Sequence, residues 1–252
     1  DLARYQDISL GNGLLNIGTV FAQSSTEIEQ YGLVDEERKL NVNTVSLTVL
    51  QKLLEIVGEE SQPSAEDIAQ SIVDWRTSRQ PGEQCPDDSY YKSLNPSYVC
   101  KNANFEILEE LLLVKGITRE LFAKIKDEVT VYGSGAVNIN TADNQTLELL
   151  GMSSLLSLKI MSYRAGSDAE TQTADDNIFE STESIMDDLM AVEEITEEDQ
   201  NFLTKAIESG LLGVQSTYFR GTTVGVLPES DYALAIEFVV NRGGQVKFRR
   251  EL

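Results

Sequence analysis

The hydrophobic positions of this chain change period twice. Near the start they alternate: Ile8 and Leu10 precede a Gly11-Asn12-Gly13 turn, after which Leu15, Ile17, Thr19 and Phe21 fall on one face. Alternation around a glycine turn predicts a β-hairpin with residues 8–10 and 14–21 as its arms. A polar break at 23–26 follows, and residues 28–34 offer another strand ahead of the charged run Asp35-Glu36-Glu37-Arg38-Lys39. The far end reads the same way. Residues 216–226 and 232–240 are rich in β-branched and aromatic side chains, and Asn241-Arg242-Gly243-Gly244 turns the chain into 245–250. Between the two ends Leu and Ile recur every three to four positions among Glu and Lys, the helical period. The expected fold class is therefore α+β: one β-sheet domain formed by both chain ends, residues 1–38 and 211–252, with a large α-helical domain inserted at 39–210.

The helical region contains an internal repeat. Leu40-Asn41-Val42-Asn43-Thr44, followed by Leu50 and Leu53, returns as Val137-Asn138-Ile139-Asn140-Thr141, followed by Leu147 and Leu150. Ile72-Val73-Asp74-Trp75-Arg76 returns as Ile160-Met161-Ser162-Tyr163-Arg164. The block from Glu110 through Val114-Lys115-Gly116-Ile117 to Thr118 returns from Asp188 to Thr196. Three blocks in one order mark a duplicated helical unit, of helix-hairpin-helix or SAM-like kind. The Asn-x-Asn-Thr segments read as donors of side-chain oxygens to the amides of the helices that follow, with Asp143 placed to suit the positive end of the dipole. Thr118 and Thr196 read as N-caps, and Ser64 as the cap of the helix that ends at Trp75, a core anchor with Ile68, Ile72 and Val73. The copies carry different insertions, 77–104 in the first and 165–184 in the second, and residues 165–204 contain no Lys or Arg. Such a run reads as a solvated face or a cation site.

Composition narrows the chemistry. Forty-two acids against twenty bases give a formal charge of −22, which repels phosphate backbones and anionic lipid over most of the surface, so no nucleic-acid partner is expected. There is no histidine, which removes the usual general base near neutral pH and the Ser-His and Cys-His nucleophile pairs. Carboxylate pairs alone mean little in so acidic a chain, so no enzymatic activity and no catalytic residue are expected. No stretch approaches the roughly 20 apolar residues that span a bilayer.

The two cysteines, Cys85 and Cys100, bracket a loop of Pro, Asp, Ser, Asn and Tyr rather than an apolar helix face. That favours a disulfide over two free thiols; a closed loop of this size is worth about 3 kcal/mol and persists only in an oxidising compartment. Beside it, Glu83, Asp87 and Asp88 put three carboxylates within a few residues. A stapled acidic loop is able to supply the six to eight oxygens that calcium takes, although no EF-hand pattern is present, and the alternative is a plain acidic loop. The Gly-Ile junction at Gly116-Ile117 brings in a competing function, a periplasmic helix-hairpin-helix DNA-binding protein whose backbone amides hold phosphate. The Gly-x-Gly hairpin is absent, and the second copy has Glu193-Glu194 where phosphate would sit.

Taken in order, Asp35-Glu36-Glu37-Arg38-Lys39-Leu40-Asn41-Val42-Asn43-Thr44, Val73-Asp74-Trp75-Arg76, Asp87-Asp88-Ser89-Tyr90-Tyr91, the run from Leu108 to Gly116 and Val137-Asn138-Ile139-Asn140-Thr141-Ala142 resemble the K-class minor pseudopilins of bacterial type II secretion systems, from about Tyr31 to the C-terminus. The resemblance implies a pilin-like sheet domain interrupted by a helical domain, and calcium close to Glu83, Asp87 and Asp88. The departure is Thr77-Ser78-Arg79 after the Trp, where the family pattern continues with acids. It also implies a long N-terminal helix carrying an inner-membrane anchor, neither of which lies in these residues, with the present part in the periplasm. The function implied is that of a subunit at the tip of the pseudopilus. It takes part in initiation and in export of folded proteins across the outer membrane, with I- and J-class minor pseudopilins, and secreted exoproteins, as partners.

Overall fold

The computed structural model describes residues 4–11, 13–20, 28–171, 173–192, 194–227 and 233–252. The chain divides into two compact units, one of residues 1–37 with 216–252 and one of residues 38–215.

The first unit is a seven-stranded sheet. Its path runs β1 (Ile8–Leu10), β2 (Gly13–Val20), β9 (Tyr218–Val226), β10 (Ala233–Asn241) and β11 (Val246–Glu251), all antiparallel. β3 (Ile28–Tyr31) adds to β2 and β4 (Val34–Asp35) to β9. Both hairpins expected from alternation are present, and both chain ends share one sheet. Asn12, Phe21, the break at 23–26 and Tyr232, which that reading also used, lie outside the described residues. The strand expected over 28–34 is broken, because Gly32 adopts a φ of +118° that continues neither neighbour as a strand.

The acidic run that begins at the end of β4 is not a solvated face. Asp35, Glu36 and Glu37 are 7%, 0% and 5% exposed. Asp35 accepts from the Ser216 hydroxyl at 2.5 Å and from the Glu37 amide at 2.8 Å. The Glu37 carboxylate accepts the amides of Thr217 and Tyr218. Glu36 receives Arg220 Nε at 2.7 Å, and the same guanidinium reaches Glu237 at 2.8 Å. Three consecutive acids thus tie the end of the first chain segment to the start of the second, which is why burial of charge is tolerated here.

The helical unit shows the duplication in three dimensions. Copy one runs β5 (Leu40–Asn41), α1 (Leu47–Ile56), α2 (Gln62–Arg76), α3 (Asp88–Ser93), a 3-10 helix (Leu108–Leu113), α4 (Arg119–Ile125) and β6 (Val129–Thr130). Copy two runs β7 (Val137–Asn138), α5 (Asn144–Leu149), α6 (Ser154–Arg164), α7 (Ile185–Val192), α8 (Glu197–Glu208) and β8 (Leu212–Gly213). Each copy closes on itself through a two-stranded parallel ribbon, β5 with β6 and β7 with β8. The second ribbon keeps residues 211–215 with the helical unit, whereas the hydrophobic pattern ended that region at Gly210. One apolar core runs through both copies, from Leu40, Leu50 and Leu53 in the first to Leu147, Ile160 and Leu203 in the second.

The repeated Asn, Arg and Thr residues have definite tasks. Asn43 Nδ2 donates to the carbonyls of Phe105 and Val131 at 3.0 and 3.3 Å, and its Oδ1 accepts the Phe105 amide at 2.7 Å. Asn140 does the same with Phe179 and Val214, at 2.9, 3.0 and 2.8 Å. Arg76 donates to the carbonyls of Val42 and Val45, and Arg164 to that of Ala142. The asparagines therefore staple distant loops rather than cap the next helix, as their spacing had led us to expect. The caps are Ser46 for α1 and Asp143 for α5. Thr118 and Thr196 do cap α4 and α8. Ser64 caps nothing: α2 begins after Ser61, and the Ser64 hydroxyl donates to Glu60 at 3.1 Å.

Candidate functional site

The strongest chemical feature that the sequence offered, the acidic cysteine loop, is built on α2 and α3. Cys85 and Cys100 are bonded, with 6.1 Å between their Cα atoms, and both are buried. The bridge closes a loop that places Tyr91 in the core. Tyr91 is fully buried, stacked on Tyr98 at 5.2 Å and edge-on to Trp75 at 5.3 Å. Its hydroxyl accepts the Lys115 amide at 3.1 Å, and burial pushes its pKa up to about 12. Trp75, 3% exposed, is the core anchor expected of it.

The three carboxylates proposed for a cation each have partners of their own. Asp87 sits just before α3, with one oxygen 2.6 Å from Lys115 Nζ and the other accepting the Ser71 hydroxyl at 2.7 Å. That hydrogen bond raises the Lys115 pKa. Asp88 accepts the Cys100 amide at 3.1 Å and lies 3.6 Å from Lys92. Glu83 accepts the Gln80 amide at 3.0 Å. Among the described residues, the one set of three potential ligand atoms within 4.8 Å of one another is Cys85, Asp88 and Cys100, and its sulfurs are in the disulfide. Glu83, Asp87 and Asp88 are thus not gathered around one point.

Arg79, the departure noted in the sequence, binds Asp74 through its carboxylate at 2.9 Å and its carbonyl at 2.6 Å, and Asn102 at 2.8 Å. A guanidinium joins the end of α2 to the segment after Cys100, a task for which a cation with several oxygen ligands is also suited. The arrangement is that of a cross-linked surface element. Its hydroxyls, carboxylates and one disulfide lock α3 onto α2 and residues 113–115.

Gly116 at the Gly-Ile junction is explained by packing. It adopts a φ of +88°, and a Cβ there would lie 2.6 Å from Ile68 Cγ1, so the close approach of α2 requires glycine without any phosphate.

Residues 14–134 match the family model described as type II secretion system (T2SS), protein K. Over those residues the chain is similar to the protein K family. The match takes in β2 to β4, the buried acids, copy one and its cysteine loop, and it ends just before β7, where copy two begins. The recognised protein K region is thus just under half of the chain. No curated protein matches it. Among solved structures, a chain of the GspK-GspI-GspJ complex from the type 2 secretion system of enterotoxigenic Escherichia coli shares the fold, with a TM-score of 0.67 at 18% identity. The likeness covers 97% of this chain and 82% of that one. A sheet from both chain ends with an inserted helical unit is therefore the architecture of both.

What the sequence reading missed within this protein K region is the buried run Asp35 to Glu37 and the loop contacts of Asn43. The available signal for the latter was the repeat itself, since Asn43 and Asn140 recur with Phe105 and Phe179 downstream in each copy.

Proposed function

We propose that the protein is a non-catalytic minor pseudopilin that caps a type II secretion pseudopilus, assists its initiation and serves export of folded proteins across the outer membrane. The observation that carries this is the size of the insertion: residues 38–215 form a helical unit much larger than the sheet unit of residues 1–37 and 216–252 that it interrupts in sequence. A fibre of pilin-type subunits stacks them closely, and a head this bulky obstructs a further subunit above it. Like-charged copies of a chain of −22 also repel one another. The related fold is seen in a complex named for GspK, GspI and GspJ, and it supports I- and J-class minor pseudopilins as partners here. Secreted exoproteins are the remaining partners of this reading, and the periplasm, with an inner-membrane anchor in the intact protein, is its compartment. No helix of the described residues is long and apolar enough to cross a membrane.

Light scattering on mixed soluble domains tests the assignment. A stoichiometric complex with the cognate I and J domains at micromolar concentration is expected; a homopolymer of this chain, or no complex, contradicts it. Calcium at Glu83, Asp87 and Asp88 is a separable proposal that rests on the resemblance. Calcium bound there would have to displace the partners these carboxylates hold, Ser71 and Lys115 on Asp87, the Cys100 amide on Asp88 and the Gln80 amide on Glu83. A thermal scan with chelator and then with added calcium checks it, since binding to the native state alone raises stability by mass action; no shift and no metal by elemental analysis would remove calcium from the account. No observation favours the DNA-binding alternative, and the packing role of Gly116 takes away its main motif.

A further inference from the structure

The duplication supplies an internal control for each surface of the helical unit. Aligned on the blocks that end in Arg76 and Arg164, Leu155 stands opposite Asp67 and Leu158 opposite Gln70. All four positions face solvent. Copy one places polar residues there, whereas copy two exposes Leu155 and Leu158 to 54% and 57%. The third block shows a second asymmetry. Val114 and Val192 are equivalent, yet Val114 is 3% exposed and Val192 62%. In copy one the Tyr98 hydroxyl donates to the Leu113 carbonyl and the Tyr91 hydroxyl accepts the Lys115 amide, so the cysteine loop covers the valine between them. Among the described residues Val192 has no comparable cover, and Met190 on the same helix is 52% exposed.

The two helices that carry these side chains are neighbours. Lys159, one turn from Leu155 on α6, donates through Nζ to the carbonyl of Glu194, just beyond α7. The rim is acidic: Glu183, Asp187, Glu194 and Glu198 are exposed, in a stretch of 40 residues, 165–204, with no Lys or Arg. We propose that the α6 stripe and the end of α7 form a docking surface for a basic amphipathic segment of a partner protein, whose apolar side chains cover Val192 as Tyr91 and Tyr98 cover Val114. The acidic rim selects the occupant. A second copy of this chain or an anionic membrane would bring like charge against it, whereas Lys or Arg flanking an apolar anchor is complementary.

The probe is a fluorescently labelled amphipathic peptide of leucine and lysine, with a counterpart in which glutamate replaces lysine. Anisotropy should show micromolar binding of the lysine peptide, weakened by about tenfold or more in the double variant Leu155→Asp, Leu158→Gln, as loss of two central anchors does. The same loss is expected for the glutamate peptide. Both substituted positions are exposed and take the residues of copy one, so folding should persist; if it does not, methyl shifts of Leu155, Leu158 and Met190 in the unaltered protein report the contact directly. Absence of binding, equal binding by the variant or by the glutamate peptide, or a dimer of the protein that the variant dissolves would each overturn the proposal.

Discussion

Replacing Asn43 by Ala should unlock copy one at a single point. The side chain makes three hydrogen bonds, two from Nδ2 to the Phe105 and Val131 carbonyls and one from the Phe105 amide to Oδ1. Phe105 is 3% exposed, so water reaches its amide and carbonyl poorly once the partner is gone. Each such bond contributes about 1 kcal/mol net, and a buried group left unsatisfied costs about 1–3 kcal/mol, so the expected loss is about 3 kcal/mol. Asn43→Asp keeps the acceptor but turns a carboxylate toward two carbonyls, and it should do no better than Ala. Asn140→Ala should cost a similar amount, because Asn140 makes the same three contacts with Phe179 and Val214. Urea unfolding gives the stabilities, and amide hydrogen exchange gives the local effect. The Phe105 amide should lose protection in the first variant and the Phe179 amide in the second. A loss below about 1 kcal/mol with both amides still protected would show that the asparagines do not staple their loops, and the reasoning would fail.

Three further outcomes are expected. Because the folded state holds the Tyr91 pKa near 12 against an ordinary value of 10.0, its contribution to stability is complete below about pH 10 and is lost as pH rises toward 12; the melting temperature should fall over that window, and Tyr91→Phe should flatten the fall. Arg220→Ala removes the guanidinium from Glu36, which is 0% exposed, and should destabilise by about 3–5 kcal/mol in a denaturant titration. Opening the Cys85–Cys100 bridge by the double change to Ser should cost about 3 kcal/mol and release α3, seen as increased tyrosine ionisation near its ordinary pKa; equal stability of the variant would argue against the loop's anchoring role.

The local rules were legible in the chain itself. Alternation at both ends gave strands because side chains of a strand alternate between faces, and the three-to-four spacing gave helices for the corresponding reason. The repeat was visible because each copy must rebuild the same core, so Leu50 and Leu147, or Ile72 and Ile160, occupy matching places. Thr118 and Thr196 were legible as caps because capping is settled within four residues. What only tertiary structure decided were contacts made across long separations. Asp35, Glu36 and Glu37 look like a solvated run, and their burial depends on Ser216, Thr217 and Arg220 some 180 residues away. Asn43 looks like a cap until Phe105 is brought beside it. Glu83, Asp87 and Asp88 look like one cluster because they are close in sequence, yet the start of α3 turns Asp87 toward Ser71 and Lys115 and Asp88 toward Cys100. A side chain's direction depends on the element that carries it and on the partner that element meets, and neither is a property of neighbouring letters.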